Sequence, residues 1–217
     1  MTQWTWSLVG LLLMGCAQAR DEGGASTNQS TALPSDTVAS AHIQRQGTGM
    51  QPSQDLTPVA QLQLYVDGYH NYKSQAALPG DQQHQMRVAH YCQQVNADVI
   101  QCAVYDGNGK GAHLIGIEYI VSDPVYRKLP ATEKDSWHPH DGEVDTAMLI
   151  APGIPDPAHK ALMAKIRSTH GKTWHVWDTH KDALPVGSPS LMWAITPEQM
   201  NAETKRSMAA RQKNVQF

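Results

Sequence analysis

Two β-rich runs facing each other across a glycine-rich turn constrain this chain more than any other feature. Val99-Ile-Gln-Cys-Ala-Val-Tyr105 precedes Asp106-Gly-Asn-Gly-Lys-Gly111, and Ala112-His-Leu-Ile-Gly-Ile-Glu-Tyr-Ile-Val121 follows it. β-Branched and aromatic residues on both sides of a Gly/Asn turn specify an antiparallel hairpin. Strand alternation puts Ile115, Ile117, Tyr119 and Val121 on one face and Leu114, Gly116, Glu118 and Ile120 on the other. Glu118 is then a carboxylate on a mostly apolar face. The Gly107-Asn-Gly-Lys-Gly111 stretch lacks the phosphate-loop motif and its strand–helix context, so it reads as the hairpin turn.

The rest of the domain mixes helices and strands without a βαβ rhythm. Leu56 to Val66 reads as a helix, with Thr57 as N-cap, Pro58 in the first turn, and Val59, Leu62, Val66 and Tyr69 on one face. Thr132 to Trp137 suggests a short helix, and Glu143 to Ile150 a strand stopped by Pro152-Gly153. Asp156 opens a helix with Pro157 in its first turn, a buried stripe of Ala158, Leu162, Ile166 and Thr169, and Gly171 just past its end. Thr173 to Thr179 and Leu191 to Thr196 read as strands. Thr196-Pro-Glu-Gln199 has the capping-box pattern that opens a last helix. The expected fold is α+β: a single domain over residues 56–217 with a mainly antiparallel sheet and flanking helices, preceded by a disordered tether.

The N-terminus carries an address. Leu8-Val-Gly-Leu-Leu-Leu-Met14 is too short to span a bilayer, which needs ~20 apolar residues. It fits the h-region of a signal peptide over residues 1–15. Leu13-Met-Gly-Cys16 resembles a bacterial lipobox, which makes the Cys16 thiol the acceptor of a lipid anchor. From Ala17 to Asp55 the chain has no Trp, Tyr or Phe and is rich in Ser, Thr, Gln, Gly and Ala. Such a segment buries too little apolar area to offset its chain entropy, so residues 16–55 read as a lipidated, disordered tether. Ala17 in the position after the cysteine points to the outer membrane, facing the periplasm. The membrane is therefore a partner through the anchor.

Charge excludes one class of partner. A formal net charge of -3, with no basic face or charge run, speaks against nucleic acid. Setting Cys16 aside leaves Cys92 and Cys102, which could pair in an oxidising compartment or stand as two buried thiols; we lean to the thiols, since spacing does not fix geometry.

The densest polar cluster is Trp137-His-Pro-His-Asp-Gly-Glu143. In an extended segment His138 and His140 project to the same side. Two imidazoles and the Glu143 carboxylate, joined by His90 from Ala-His-Tyr-Cys92, could hold a divalent metal such as zinc. Glu118 and His175 stand behind them as supporting residues. The alternatives are histidines that bond backbone in a proline-bearing loop, or a His138–Glu143 acid–base pair without metal. Trp137, Trp174, Trp177 and Trp193 read as core, with a lipid-touching surface as the alternative.

At these residues a family resemblance emerges. Leu56-Thr-Pro, His90-Tyr91, Gln101-Cys-Ala-Val-Tyr-Asp106, Leu114-Ile-Gly-Ile-Glu-Tyr-Ile-Val-Ser122, Trp137-His-Pro-His140 with Glu143, Pro152-Gly-Ile-Pro155, Gly171-Lys-Thr-Trp174 and Leu184-Pro-Val-Gly-Ser-Pro189 together resemble the oil body-associated protein family, long described as a domain of unknown function. The resemblance implies a lipid-facing habit and no assigned catalytic residues. The expectation is a non-enzymatic envelope lipoprotein that contacts lipid or an envelope protein; the alternative is a metal-binding domain or metal-dependent enzyme built on the His/Glu cluster.

Overall fold

The predicted hairpin is the seed of the architecture. In the computed structural model, which describes residues 57–213, β3 (Val99–Tyr105) and β4 (Leu114–Ser122) pair antiparallel. The signal peptide, Cys16 and the tether lie outside the described residues. β3 continues the sheet to β2 (Met86–Gln94) and β2 to β1 (Leu64–Tyr72). β1 pairs with β7 (Ser190–Ala194), β7 with β6 (Thr169–His175), and β6 returns to β4. The ring β4-β3-β2-β1-β7-β6 is closed and antiparallel throughout. The expected mainly antiparallel sheet is present, but it closes into a barrel, which the expectation of a sheet with flanking helices did not include. Closure rests on the β4–β6 ladder, a pairing between segments far apart in sequence that leaves no local pattern to read.

Alternation along each strand decides what fills the barrel. Partners in register share a face, so Val66–His90–Val104–Gly116–His175 and Cys92–Cys102–Glu118–Thr173–Met192 form two rows across the interior. The hairpin phase expected for Gly116, Glu118 and Ile120 holds, with Ile117 and Tyr119 facing out. It fails at Leu114 and Ile115, because a register shift at Val104/Tyr105 buries Ile115 and exposes Leu114. Cys92 and Cys102 stand directly opposite each other and are joined as a disulfide, not left as two thiols. Neighbours across an antiparallel pair are close enough to bond, which spacing in sequence did not reveal.

The helices seal the outside. α1 is only Thr57–Ala60; the rest of the expected first helix is β1. Val66 to Asn71 is buried on both faces, so no strand alternation was there to find. α2 (Asp123–Arg127) and α3 (Ala131–Lys134) precede the two-residue strand β5 (His138–Pro139), which pairs with the N-terminal half of β6. The expected strand from Glu143 is instead α4 (Asp141–Asp145), followed by a turn and a single bridge between Ile150 and Asp67. α5 (Asp156–Arg167) forms as expected with Pro157 in its first turn, burying Met163 and Ile166, and ends at Ser168; Gly171 belongs to β6. The Thr196–Gln199 capping box is present but opens a 3-10 turn, and α6 (Ala202–Lys213) starts after it.

α6 is tied to β1 by buried charge. Arg211 Nη1 donates to Asp67 Oδ1 at 2.9 Å, and Arg87 Nε donates to the same carboxylate at 3.0 Å. Burial alone would raise the Asp67 pKa, but the Arg87 and Arg211 hydrogen bonds hold it below the ordinary carboxylate value. A depressed folded pKa gives stability that is fully present above the unfolded value of ~3.9 and is lost as pH falls through the folded one. Asp67→Asn should thus be less stable than the parent at pH 7, with the gap narrowing below about pH 4. Urea unfolding of both proteins across that range checks it; a constant gap refutes it.

Candidate metal centre

Glu118 is the centre of the barrel interior. It enters from β4 and is 3% exposed. His70 comes from β1, His90 from β2, His138 from β5, His140 from the turn after it, and His175 from β6; each is buried. The carboxylate divides them. Its Oε2 lies 2.9 Å from His90 Nε2 and 3.9 Å from His70 Nε2. Its Oε1 lies 3.2 Å from His140 Nε2 and 3.8 Å from His138 Nε2. His90 Nε2 and His70 Nε2 are 3.3 Å apart. Ligands on a tetrahedral zinc with ~2.1 Å bonds are ~3.4 Å apart, so these spacings suit a shared cation.

Hydrogen bonds behind the imidazoles fix which nitrogen faces the carboxylate. Thr169 Oγ1 donates to Ile166 O at 2.6 Å, which leaves it to accept from His140 Nδ1 at 2.8 Å. His90 Nδ1 lies 3.3 Å from Val66 O, an acceptor only. In the neutral form of both rings Nε2 then carries a lone pair. Each lone pair points at a carboxylate oxygen that is also an acceptor. Two facing acceptors repel unless a positive charge, a proton or a metal ion, sits between them.

Electrostatics favours the ligand forms. Burial alone would raise Glu118, yet the facing His90 and His140 rings hold its pKa well below the ordinary value. Burial first, then the His140 ring, pushes His138 down to about 3. Burial likewise takes His175 to about 3, and burial with His90 and His175 lowers His70 well below its usual value. At neutral pH this is an anionic carboxylate with His70, His138 and His175 neutral, a state suited to metal binding. His138 has neither ring nitrogen hydrogen-bonded, although the residue is fully buried. Burying an unpaired polar group is costly, and a bound cation would satisfy it.

Gly171 makes the room. In register it faces His138 on one side and Ile120 on the other. A Cβ there would overlap Glu118 Oε1 and come within 2.7 Å of His140 Nε2 and 2.9 Å of His138 Nε2. The interior is spared a side chain at the one point where these ligand atoms meet.

The structure places His90, His138 and His140 around Glu118, His90 with His70 at one carboxylate oxygen and His138 with His140 at the other. It moves Glu118 from a supporting place to the middle and adds His70. His175 keeps a supporting place, its Nε2 3.1 Å from His70 Nδ1. Glu143 does not join the converging atoms. The chain turns into α4 at Asp141, so the extended spacing assumed from His138 to Glu143 ends there. Burial, then the Glu118 charge, pushes the Glu143 pKa well above the carboxylate range, and its Oε2 has no partner.

The family model described as "Protein of unknown function (DUF1264)" matches residues 56–217. The chain belongs to that family. It is 39% identical over 146 residues to oil body-associated protein 1A of Zea mays, covering 67% of this chain and 59% of that one. It is 38% identical over 154 residues to oil body-associated protein 2A of Arabidopsis thaliana, covering 70% and 59%. The chain thus spans about three-fifths of the length of these relatives. No solved structure matches. The segments that carried the family resemblance in the sequence build the site: Leu114–Ser122 is the strand of Glu118, Trp137–His140 contains β5, and Gly171–Trp174 lies in β6.

Proposed function

We propose that this domain holds a divalent transition-metal ion, zinc first among candidates, between Glu118 and the His70, His90, His138 and His140 imidazoles. The observation that carries the reading is the pair of Nε2 lone pairs, on His90 and His140, aimed at opposite oxygens of one buried carboxylate. Imidazole-rich sets suit zinc, copper, iron and nickel. Ligands only 0–3% exposed favour retention over turnover, because a substrate would have to reach the barrel interior. Metal analysis after zinc loading and dialysis should find zinc in the parent and little or none in His140→Ala, with both proteins folded by circular dichroism. No retained metal in either would end the reading.

Lipid contact is a second reading, supported by the outer wall of β4 and β6. Leu114, Ile117, Tyr119 and Val176 are 45–52% exposed there, and Ile117 lies beside Trp174 in register. The relatives' names associate them with oil bodies. A lipid anchor on Cys16 would keep this wall near a membrane, and a Cys92–Cys102 disulfide suits an exported protein. No helix among the described residues is long and apolar enough to cross a membrane. Flotation with liposomes distinguishes wall from anchor: a chain starting at Asp55 should float. If it stays at the bottom while the full lipidated chain floats, the anchor alone does the membrane work.

A further inference from the structure

A separate convergence of imidazoles and carboxylate lies away from Glu118. His84 precedes β2, and Asp178 and His180 sit in the loop after β6. Their ligand atoms all lie within 4.8 Å of one another. His84 Nε2 is 3.3 Å from Asp178 Oδ2, and His180 Nδ1 is 4.0 Å from Asp178 Oδ1. Despite that approach, His84 Nε2 makes no hydrogen bond and is shielded from solvent. A nitrogen so placed lacks a partner that a cation would supply.

The carboxylate is already held in position. Tyr72 Oη donates to Asp178 Oδ2 at 2.6 Å, and the His180 backbone N–H donates to Oδ1 at 3.1 Å. Each oxygen keeps a further lone pair. The Tyr72 ring stacks on the His84 ring with centroids 5.8 Å apart.

We propose that His84, Asp178 and His180 form a second, solvent-accessible site for a divalent cation of the zinc class, with water completing the coordination. The His84–Asp178 spacing already matches the ~3.4 Å between ligands on a tetrahedral zinc. His180 is 58% exposed, and its ring meets the His84 ring edge-on with centroids 5.8 Å apart, which keeps its Nδ1 close to the other two ligands. Asp178 also lines a cavity of about 330 Å³ together with Tyr72, Lys181 and Ser188, which leaves room for coordinated water. The site does not depend on the interior one. His180 opens the site to solvent on one side, so its metal exchanges more quickly and binds more weakly than one in the barrel interior.

The test is a zinc titration of the full chain by calorimetry, beside Asp178→Asn/His180→Ala. The parent should show a weaker class of one zinc equivalent that the double variant loses, and His140→Ala should keep that class even if it loses interior metal. In NMR spectra of the parent, the His84 and His180 ring signals should move as the weaker class fills. Equal numbers of zinc equivalents in parent and double variant would overturn the proposal. Unmoved His84 and His180 signals would do the same, and that measurement stands even if the double variant does not fold.

Discussion

Gly171→Ala should retain no zinc under conditions where the parent keeps it, with apparent affinity weakened more than about 100-fold, beyond what loss of a supporting residue costs. One methyl group has this effect because of where it points. Its carbon would overlap Glu118 Oε1 and crowd the Nε2 atoms of His138 and His140. None of these can retreat freely. His138 is paired to Gly171 across the β5–β6 ladder, and His140 is pinned through Nδ1 to Thr169. The ligands must spread, and metal bonds tolerate only a few tenths of an ångström. The sign of the stability change is diagnostic too. Gly→Ala at a site with room stabilises by about 0.4–1 kcal/mol through the unfolded chain. Overpacking costs about 1–3 kcal/mol instead. Gly109→Ala, in open space within the hairpin turn, is the control and should leave zinc binding unchanged. Parental zinc retention in Gly171→Ala would mean that the metal does not sit among Glu118, His138 and His140.

How much of this was legible follows from what each residue's neighbours reveal. Glu118 was readable because its strand is flanked by outward Ile117 and Tyr119, so alternation marked it as inward and unusual. His138 and His140 were readable because a short strand carries one and a tight turn the other, within three residues. His70 was not. Its strand is covered outside by α6 and filled inside by the barrel, so Val66 to Asn71 shows no period of two, and the scattered apolar residues imitated a helix. Glu143 was misplaced for the converse reason: an extended reading was carried past Asp141, where a helical turn rotates the carboxylate away from the converging ligands. Barrel closure, the disulfide and the Gly171 clearance are all properties of pairs across the sheet. Each pair looks ordinary from either of its members alone. The site is assembled by β4 meeting β6, and that ladder is the part of the fold least written in any local stretch.

Arg211→Met should cost about 3–5 kcal/mol, the largest stability loss expected from a single substitution outside the ligand cluster. The methionine keeps most of the side-chain bulk over the Tyr69 ring, where the guanidinium now lies 5.1 Å from the centroid. What it loses is polar. Arg211 Nη1 donates to Asp67 Oδ1 and to Met148 O, each at 2.9 Å, and Nη2 donates to Ala147 O. Asp67 is 2% exposed and would keep only the Tyr65 hydroxyl and Arg87, the latter partly in solvent. The Ala147 carbonyl belongs to a residue with φ of 54°, a strained conformation for alanine that the Arg211 contact helps to hold. The cost therefore combines an under-paired buried carboxylate with two backbone carbonyls left without their donor. If that is its origin, Asp67→Asn should relieve part of it. The double variant Asp67→Asn/Arg211→Met should then be more stable than the sum of the single losses predicts, by roughly 1 kcal/mol or more. Urea denaturation of the four proteins at pH 7 measures the cycle. Strict additivity would show that Arg211 acts through α6 packing alone, and that the buried charge pair contributes nothing to closing the helix over β1.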